Sequence, residues 1–255
     1  MQYIESHENK AIKHLQKLKM KKYRESSKEY ILEGYKVIED AIESGEKLKS
    51  IFISAKSTKK YRNIRELVRE DLPIYEVEDH LFEKLTCMEH SEGIIAINSF
   101  PQIMDFRDSS VLILDRLQDP GNLGTIIRTG DAAGFHNIIC SKGCVDIYND
   151  KTIRGTMGSL FHVNIKKDAD ILQEIDSIRK KGYTIVGTQL NTDYFYTNIE
   201  AKKKYALVIG NEANGISKEV LDACDLHVKI PIYGKAESLN ASIAAAIIMY
   251  HIATL

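Results

Sequence analysis

Val111-Leu112-Ile113-Leu114, followed five residues on by Asp119-Pro120-Gly121-Asn122-Leu123-Gly124-Thr125-Ile126-Ile127-Arg128-Thr129, joins a continuous apolar run to a polar, Gly-bearing turn that opens a helix. An apolar run without alternation is what a parallel strand buried on both faces requires. The same transition recurs at Ile209-Gly210-Asn211-Glu212-Ala213-Asn214-Gly215-Ile216. It recurs again at Ile230-Pro231-Ile232-Tyr233-Gly234, which leads into Ser238-Leu239-Asn240-Ala241-Ser242. In an α/β sheet, ligands bind beyond the carboxyl ends of the strands, so three such turns rich in Asn, Arg, Glu and Ser predict one shared polar site.

Outward from these segments, apolar runs at 137–140, 183–187, 206–209 and 227–230 alternate with helical patterns over 122–133, 169–181, 218–223 and 238–252. That alternation predicts a mainly parallel α/β sheet. The first hundred residues carry shorter units. Strands are expected over 30–34, 48–54, 73–77 and 93–99, and helices over 35–44, 60–69 and 79–85. This is a second, compact α/β module of ordinary domain size. Residues 100–109, with Pro101 and several polar side chains, read as the linker between domains at 1–99 and 110–255.

With 255 residues the chain has room for two such domains. Hydrophobic residues make up 44% and charged ones 28%, a globular composition that excludes a disordered chain. No apolar run reaches the roughly 18 residues of a spanning helix, and the start carries no signal-peptide pattern, so a cytoplasmic location without a membrane partner is expected. Cys87, Cys140, Cys144 and Cys224 show no C-x-x-C spacing and no His at ligand distance, so no metal site is expected and the thiols read as unpaired.

The net charge of −1 argues at first against a nucleic-acid partner, but the distribution says more than the sum. Residues 1–30 hold Lys10, Lys13, Lys17, Lys19, Lys21, Lys22, Arg24 and Lys28 against Glu5, Glu8, Glu25 and Glu29. Such a stretch can track a phosphate backbone. The plainer reading is an amphipathic helix with Ile12, Leu15 and Leu18 inward and its lysines solvated.

Each turn residue also has two readings. Asn122 can cap the helix that follows it, and Ser238 can cap the last one. Arg128 lies among Ile126, Ile127 and Ala132, which predicts a buried cation in need of a partner or a cavity. Glu212, beside a strand end, reads as a hydrogen-bond acceptor or an arginine's partner, or more plainly as a surface carboxylate. A nucleotide-phosphate loop is the chief rival. The chain lacks both G-x-G-x-x-G and G-x-x-x-x-G-K-[ST], and Asp115 and Asp119 would repel a pyrophosphate.

Taken in order, the three segments resemble the motifs of the SpoU (TrmH) family of RNA 2′-O-ribose methyltransferases, in the SPOUT superfamily. Asn122 to Thr129 follows N-x-G-x-x-x-R-T, Gly210 to Ile216 follows G-x-E-x-x-G-[ILM], and Ile230 to Ala244 follows I-P-[ML]-x-G-x-x-x-S-L-N-[VA]-S-x-A. The similarity runs through Arg154, Thr156, Met157, Gly158, Ser159 and Phe161. Residues 1–99, with Ile31-Leu32-Glu33-Gly34, resemble the RNA-binding substrate domain that precedes the catalytic one in many members. Gly130, Ile232 and Ala241 depart from the usual Ala, Met or Leu, and Val, all at packing positions.

The resemblance implies a deep trefoil knot in the C-terminal part, a rare exception to unthreaded chains. It implies S-adenosylmethionine held by backbone groups at Thr188, Gln189, Leu190, Gly210, Asn211, Ile230, Ile232 and Leu239. It implies methyl transfer to a ribose 2′-hydroxyl, with Arg128 as the catalytic arginine and Asn122, Glu212, Ser238 and Asn240 around it. Because arginine is effectively never deprotonated, phosphate clamping and oxyanion stabilisation suit Arg128 better than proton abstraction. The proton acceptor stays open among water, a substrate phosphate and Glu212. Structured RNA, ribosomal in preference to transfer RNA, is the expected substrate. A homodimer through the last helix is the expected assembly, since that helix is apolar nearly all round. The alternative is a non-catalytic RNA-binding module on the same scaffold.

Overall fold

A computed structural model describes residues 1–101, 106, 108–201 and 204–255, so half of the expected linker over 100–109 lies outside the described residues. The chain forms two compact units, Met1–Gln102 with Tyr148–Phe161, and Ile103–Ile147 with His162–Leu255.

The first unit contains β1 (Gln2–Ile4), α1 (Lys10–Leu18), α2 (Lys21–Ser27), β2 (Glu29–Glu33), α3 (Tyr35–Glu43), β3 (Leu48–Ser54), α4 (Ile64–Leu67), β4 (Ile74–Val77), α5 (Asp79–Glu83) and β5 (Ile94–Ser99). Its sheet runs β1-β4-β3-β5-β2, parallel across β1, β4 and β3 and antiparallel at β5. Ile12, Leu15 and Leu18 are buried against Phe52, Val77 and Ile95, so the amphipathic reading of the basic stretch holds. That stretch is two helices rather than one, interrupted where Met20 turns extended. The helix expected over 60–69 shrinks to Ile64–Leu67, with Ile64 its one buried side chain.

One excursion crosses the boundary expected between the domains. Residues 148–161, including α7 (Asp150–Thr156), belong to the first unit although they lie beyond 110. Tyr148 supplies the reason, since its ring lies 4.1 Å from that of Phe100 and 4.6 Å from that of Tyr30. Aromatic pairs at such spacing add stabilisation beyond their buried area. Gly158 (φ +88°) closes the segment against Asp40, where a Cβ would fall 2.5 Å from a carboxylate oxygen.

The second unit contains β6 (Val111–Leu114), α6 (Pro120–Ala132), β7 (Asn137–Ser141), β8 (Asn164–Ala169), α8 (Ile171–Lys180), β9 (Tyr183–Thr188), β10 (Lys204–Ile209), α9 (Lys218–Asp222), β11 (Leu226–Val228) and α10 (Ala241–Ala253). All six strands are parallel, in the order β11-β9-β10-β6-β7-β8. The parallel α/β class expected from the apolar runs is the one observed. Val111 to Leu114 are wholly buried, as are Ala206, Leu207 and Val208. Each such Val or Leu contributes about 1.5–3 kcal/mol by leaving water. The edge strand β8 is not expected from the sequence, because Lys166 and Lys167 break any apolar run; lysine on an edge blocks pairing with a further strand. Among the described residues no helix is long and apolar enough to cross a membrane.

Candidate active site

Beyond the carboxyl ends of β9, β10 and β11 lies a cavity of about 570 Å³. Thr188, Gln189, Leu190, Gly210, Asn211, Ile230, Ile232 and Leu239 all line it. Its volume lies within the roughly 300–1,000 Å³ of small-molecule sites. Ile209, Ile216, Leu221, Val228 and Ile248 give it an apolar wall.

Gly210 shapes that wall. A Cβ there would stand 2.2 Å from the Gly215 carbonyl carbon and 2.2 Å from the Ile216 nitrogen. The chain leaves β10 and returns on itself, Asn211 N–H donating to Gly215 O at 3.0 Å and Gly215 N–H to Asn211 O at 2.9 Å. Asn211 Oδ1 accepts from the amides of Ala213 and Asn214, both at 3.0 Å, and its Nδ2 donates to Arg116 O at 2.8 Å. The second turn is thereby tied to the first.

Glu212 tightens the tie. Its Oε1 accepts from Asp119 N–H at 2.9 Å and from Asn122 Nδ2 at 3.1 Å, and its Oε2 from Gln118 N–H at 3.1 Å. Asn122 Oδ1 accepts from Asn240 Nδ2 at 2.9 Å. One chain of hydrogen bonds therefore runs from the second motif through the first to the third. Burial raises the Glu212 pKa, but these donors together outweigh it and hold the carboxyl below its ordinary value of 4.5. A carboxylate with both oxygens engaged and a lowered pKa is a poor acceptor for a hydroxyl proton.

The caps differ from those expected. Asp119, not Asn122, caps α6: its Oδ1 accepts from Asn122 N–H at 2.8 Å, with Pro120 opening the helix. Asn240, not Ser238, caps α10: its Oδ1 accepts from Ser242 N–H at 2.8 Å and Ile243 N–H at 3.3 Å. Ser238 lines the cavity and is exposed. Arg128 is also exposed, which corrects the expected buried cation, and it has no hydrogen bond or ion pair among the described residues. Six residues along a helix with 3.6 per turn separate Asn122 and Arg128 by about 120° around the axis. Asn122 therefore points inward to Glu212 while Arg128 points out. Within one chain the structure joins Asn122, Glu212 and Asn240 and leaves Arg128 apart.

The SpoU rRNA methylase family profile matches residues 109–250, more than half of the sequence, and so covers all three motifs. The chain belongs to this family. An MRM3-like substrate binding domain matches residues 9–96. The chain is 34% identical over 252 residues to the 23S rRNA (guanosine(2553)-2′-O)-methyltransferase RlmP of Bacillus subtilis, covering 99% of each. It superposes on an AdoMet-bound rRNA methyltransferase from Sinorhizobium meliloti with a TM-score of 0.87 at 29% identity, covering 98% of this chain and 97% of that one. The SpoU methyltransferase AviRb of Streptomyces viridochromogenes, in complex with AdoMet, gives 0.87 at 27% identity, covering 96% and 97%.

Several residues of this candidate site do not stand out in the sequence. Asp119 before Pro120 carries a usable signal, an N-cap acid followed by proline at the first helical position. Asp115, 3% exposed, accepts from Ser217 N–H at 2.7 Å and so ties the end of β6 to the start of α9. Lys229 and Glu237 also line the cavity. All four cysteines are free. The Cys144 thiol is lowered to about 7, foremost by a hydrogen bond from Cys140 and against the effect of burial.

The Glu212 ties have a pH signature. Because the folded-state pKa is depressed, their stabilisation is present above the ordinary value of 4.5 and is lost as pH falls through the lower folded value. Glu212→Gln is expected to melt below wild type at neutral pH, with the gap narrowing under acid; solvent screening keeps the effect modest. Melting curves of both proteins from neutral pH to below 4.5 check this. A gap that does not vary with pH refutes the assignment.

Proposed function

We propose that this chain transfers a methyl group from S-adenosylmethionine to a ribose 2′-hydroxyl of ribosomal RNA, in preference to transfer RNA. The observation that carries the reading is the hydrogen-bonded chain Glu212–Asn122–Asn240, which draws three motifs together beside a cavity lined by all eight residues expected to hold the methyl donor. The full-length similarity to a 23S rRNA ribose methyltransferase supports the substrate class.

S-adenosylmethionine supplies an electrophilic methyl group when bound. The protein must place the hydroxyl in line with it, exclude water and stabilise the oxygen as its proton leaves. Residues 188–190, 210, 211, 230 and 232 line the cavity, and their backbone groups suit an adenine edge. Glu212 and Asn240 are positioning residues, because their hydrogen-bonding atoms are spent on neighbouring protein groups. Arg128, exposed and unpaired among the described residues, clamps the RNA phosphate and stabilises the developing oxyanion. The proton leaves to water or to a substrate phosphate. The turns at 210–216 and 230–240 belong to the trefoil knot that the family implies. The cytoplasm is the working compartment.

Residues 1–99 serve as the RNA-binding substrate domain and 110–255 as the methyltransferase domain. Lys10, Lys17, Lys21 and Lys22 are exposed on α1 and α2. Replacing the four together with Ala is expected to flatten the salt dependence of RNA affinity, by about 0.7–0.9 in log–log slope for each phosphate that the lysines no longer neutralise. Filter binding across a salt series measures that slope, and an unchanged one removes these helices from the RNA surface.

The working unit is a homodimer through α10. Its buried side packs on its own unit through Ala245, Ile248 and Met249, whereas Ile243 and Tyr250 remain 51% and 50% exposed. A remaining apolar stripe on one helix invites a two-fold partner. The outward direction of Arg128 fits the same arrangement, in which one subunit's arginine completes the other's site. Sedimentation is expected to give a dimer, and a fully active monomer refutes this. The reaction itself is tested by mapping 2′-O-methyl positions in ribosomal RNA from cells with and without the protein. An unchanged map, with RNA binding retained, would leave only a binding module.

A further inference from the structure

Tyr233 is 94% exposed, more than any other large apolar side chain among the described residues. A tyrosine ring held in water gains nothing for the fold, since its packing value comes from burial. No hydrogen bond or ring contact engages it among the described residues, and the backbone around it from Ile230 to Leu239 is neither helix nor strand. Its position is far from arbitrary. Ile232 immediately before it and Ser238 five residues on both line the cavity beyond the strand ends, so the loop that carries the ring borders the cavity.

Lys229 and Lys235 flank the ring on both sides, and the acid of the same loop, Glu237, follows four residues on. Lys229 lines the cavity and lies 5.3 Å over the ring of Phe195, itself 40% exposed. Backbone bonds hold the two segments side by side, Lys229 N–H donating to Tyr194 O at 2.9 Å and Tyr196 N–H to Lys229 O at 3.0 Å. Exposed aromatic rings interleaved with cations form the surface that single-stranded nucleic acid recognises, bases stacking on rings and phosphates meeting lysines.

We infer that Tyr233 is the stacking platform for the base of the nucleotide that receives the methyl group, with Lys229 and Lys235 meeting the flanking phosphates. The inference rests on the methyltransferase reading above and adds the residue that holds the target nucleotide. Presenting a 2′-hydroxyl in line with a methyl donor requires that one ribose be fixed, and a ribose is fixed by holding its base and its phosphates. An unstacked base finds its lost partner in an aromatic face. Such stacking tolerates any base, so Tyr233 sets geometry and affinity rather than sequence preference.

The test uses the full-length protein, S-adenosylmethionine and an unmodified in vitro transcript of large-subunit ribosomal RNA. Tyr233→Ala is expected to raise KM for RNA roughly tenfold or more, the usual loss for one stacked base, with affinity for S-adenosylmethionine unchanged by calorimetry. Tyr233→Phe is expected to restore the wild-type KM, and Tyr233→Leu is not. Restoration by Leu, or a shift of Tyr233→Ala from dimer to monomer in sedimentation, would mean that the ring packs on a second copy of this chain, and would overturn the inference. Weakened S-adenosylmethionine binding in Tyr233→Ala would assign the ring to the cofactor and overturn it as well. An active wild type whose KM does not change in Tyr233→Ala sinks the inference alone. A wild type that methylates no ribosomal RNA sinks the reading beneath it.

Discussion

Arg128→Ala is expected to lower methyl transfer by on the order of a hundredfold or more, the usual cost of removing one group that stabilises charge in the transition state. The variant is expected to melt like wild type and to bind S-adenosylmethionine like wild type. Both expectations come from the geometry. The guanidinium is exposed and has no partner among the described residues, so its loss unsatisfies nothing inside the protein. It faces away from the Glu212–Asn122–Asn240 chain, so the turns that line the cavity keep their hydrogen bonds. Arg128→Lys sharpens the assay, because an ammonium keeps the charge and loses the planar fork. Intermediate activity in that variant points to charge, and activity as low as that of Ala points to bidentate contact. Wild-type turnover in Arg128→Ala would remove Arg128 from the chemistry.

The parallel sheet is legible because its strands are buried on both faces, so Val111 to Leu114 and Ala206 to Ile209 appear as unbroken apolar runs. The cavity's position follows from the rule for strand ends, and the eight residues at which the family resemblance implies the methyl donor line one cavity. What the sequence hides is tertiary. Asn122 and Arg128 stand in one motif, and local sequence cannot say that one faces the protein and the other solvent. The amphipathic pattern around Arg128 suggests burial, whereas the apolar side chains Ile126 and Ile127 turn inward and leave the arginine outside. The excursion at 148–161 is invisible for a similar reason, since Tyr148 finds its partners Tyr30 and Phe100 far away in sequence. Edge strand β8 pairs through its backbone, and its lysines hide that from any apolar pattern.

Gly210→Ala is expected to abolish measurable S-adenosylmethionine binding, a larger effect than its single added carbon suggests. The new Cβ would stand 2.2 Å from two backbone atoms, the Gly215 carbonyl carbon and the Ile216 nitrogen, and 2.5 Å from the Gly215 oxygen. None of these can rotate aside as a side chain could, so the turn must open. Opening it breaks the paired Asn211 and Gly215 backbone bonds and displaces Glu212, the next residue but one. With Glu212 gone from its place, the exposed amides of Gln118 and Asp119 turn to water, whereas the buried Asn122 side chain loses its acceptor at a cost of about 1–3 kcal/mol. The first and third motifs then lose the link that draws them to the second, and the cavity wall from Ile209 to Ile216 moves with the turn. Gly234→Ala makes the control, since nothing lies within 4 Å of a Cβ at that position. Calorimetry is expected to show no heat for Gly210→Ala and wild-type heat for Gly234→Ala, with circular dichroism showing both folded. Wild-type affinity in folded Gly210→Ala would mean that the methyl donor does not depend on this turn, and would place its site elsewhere on the sheet.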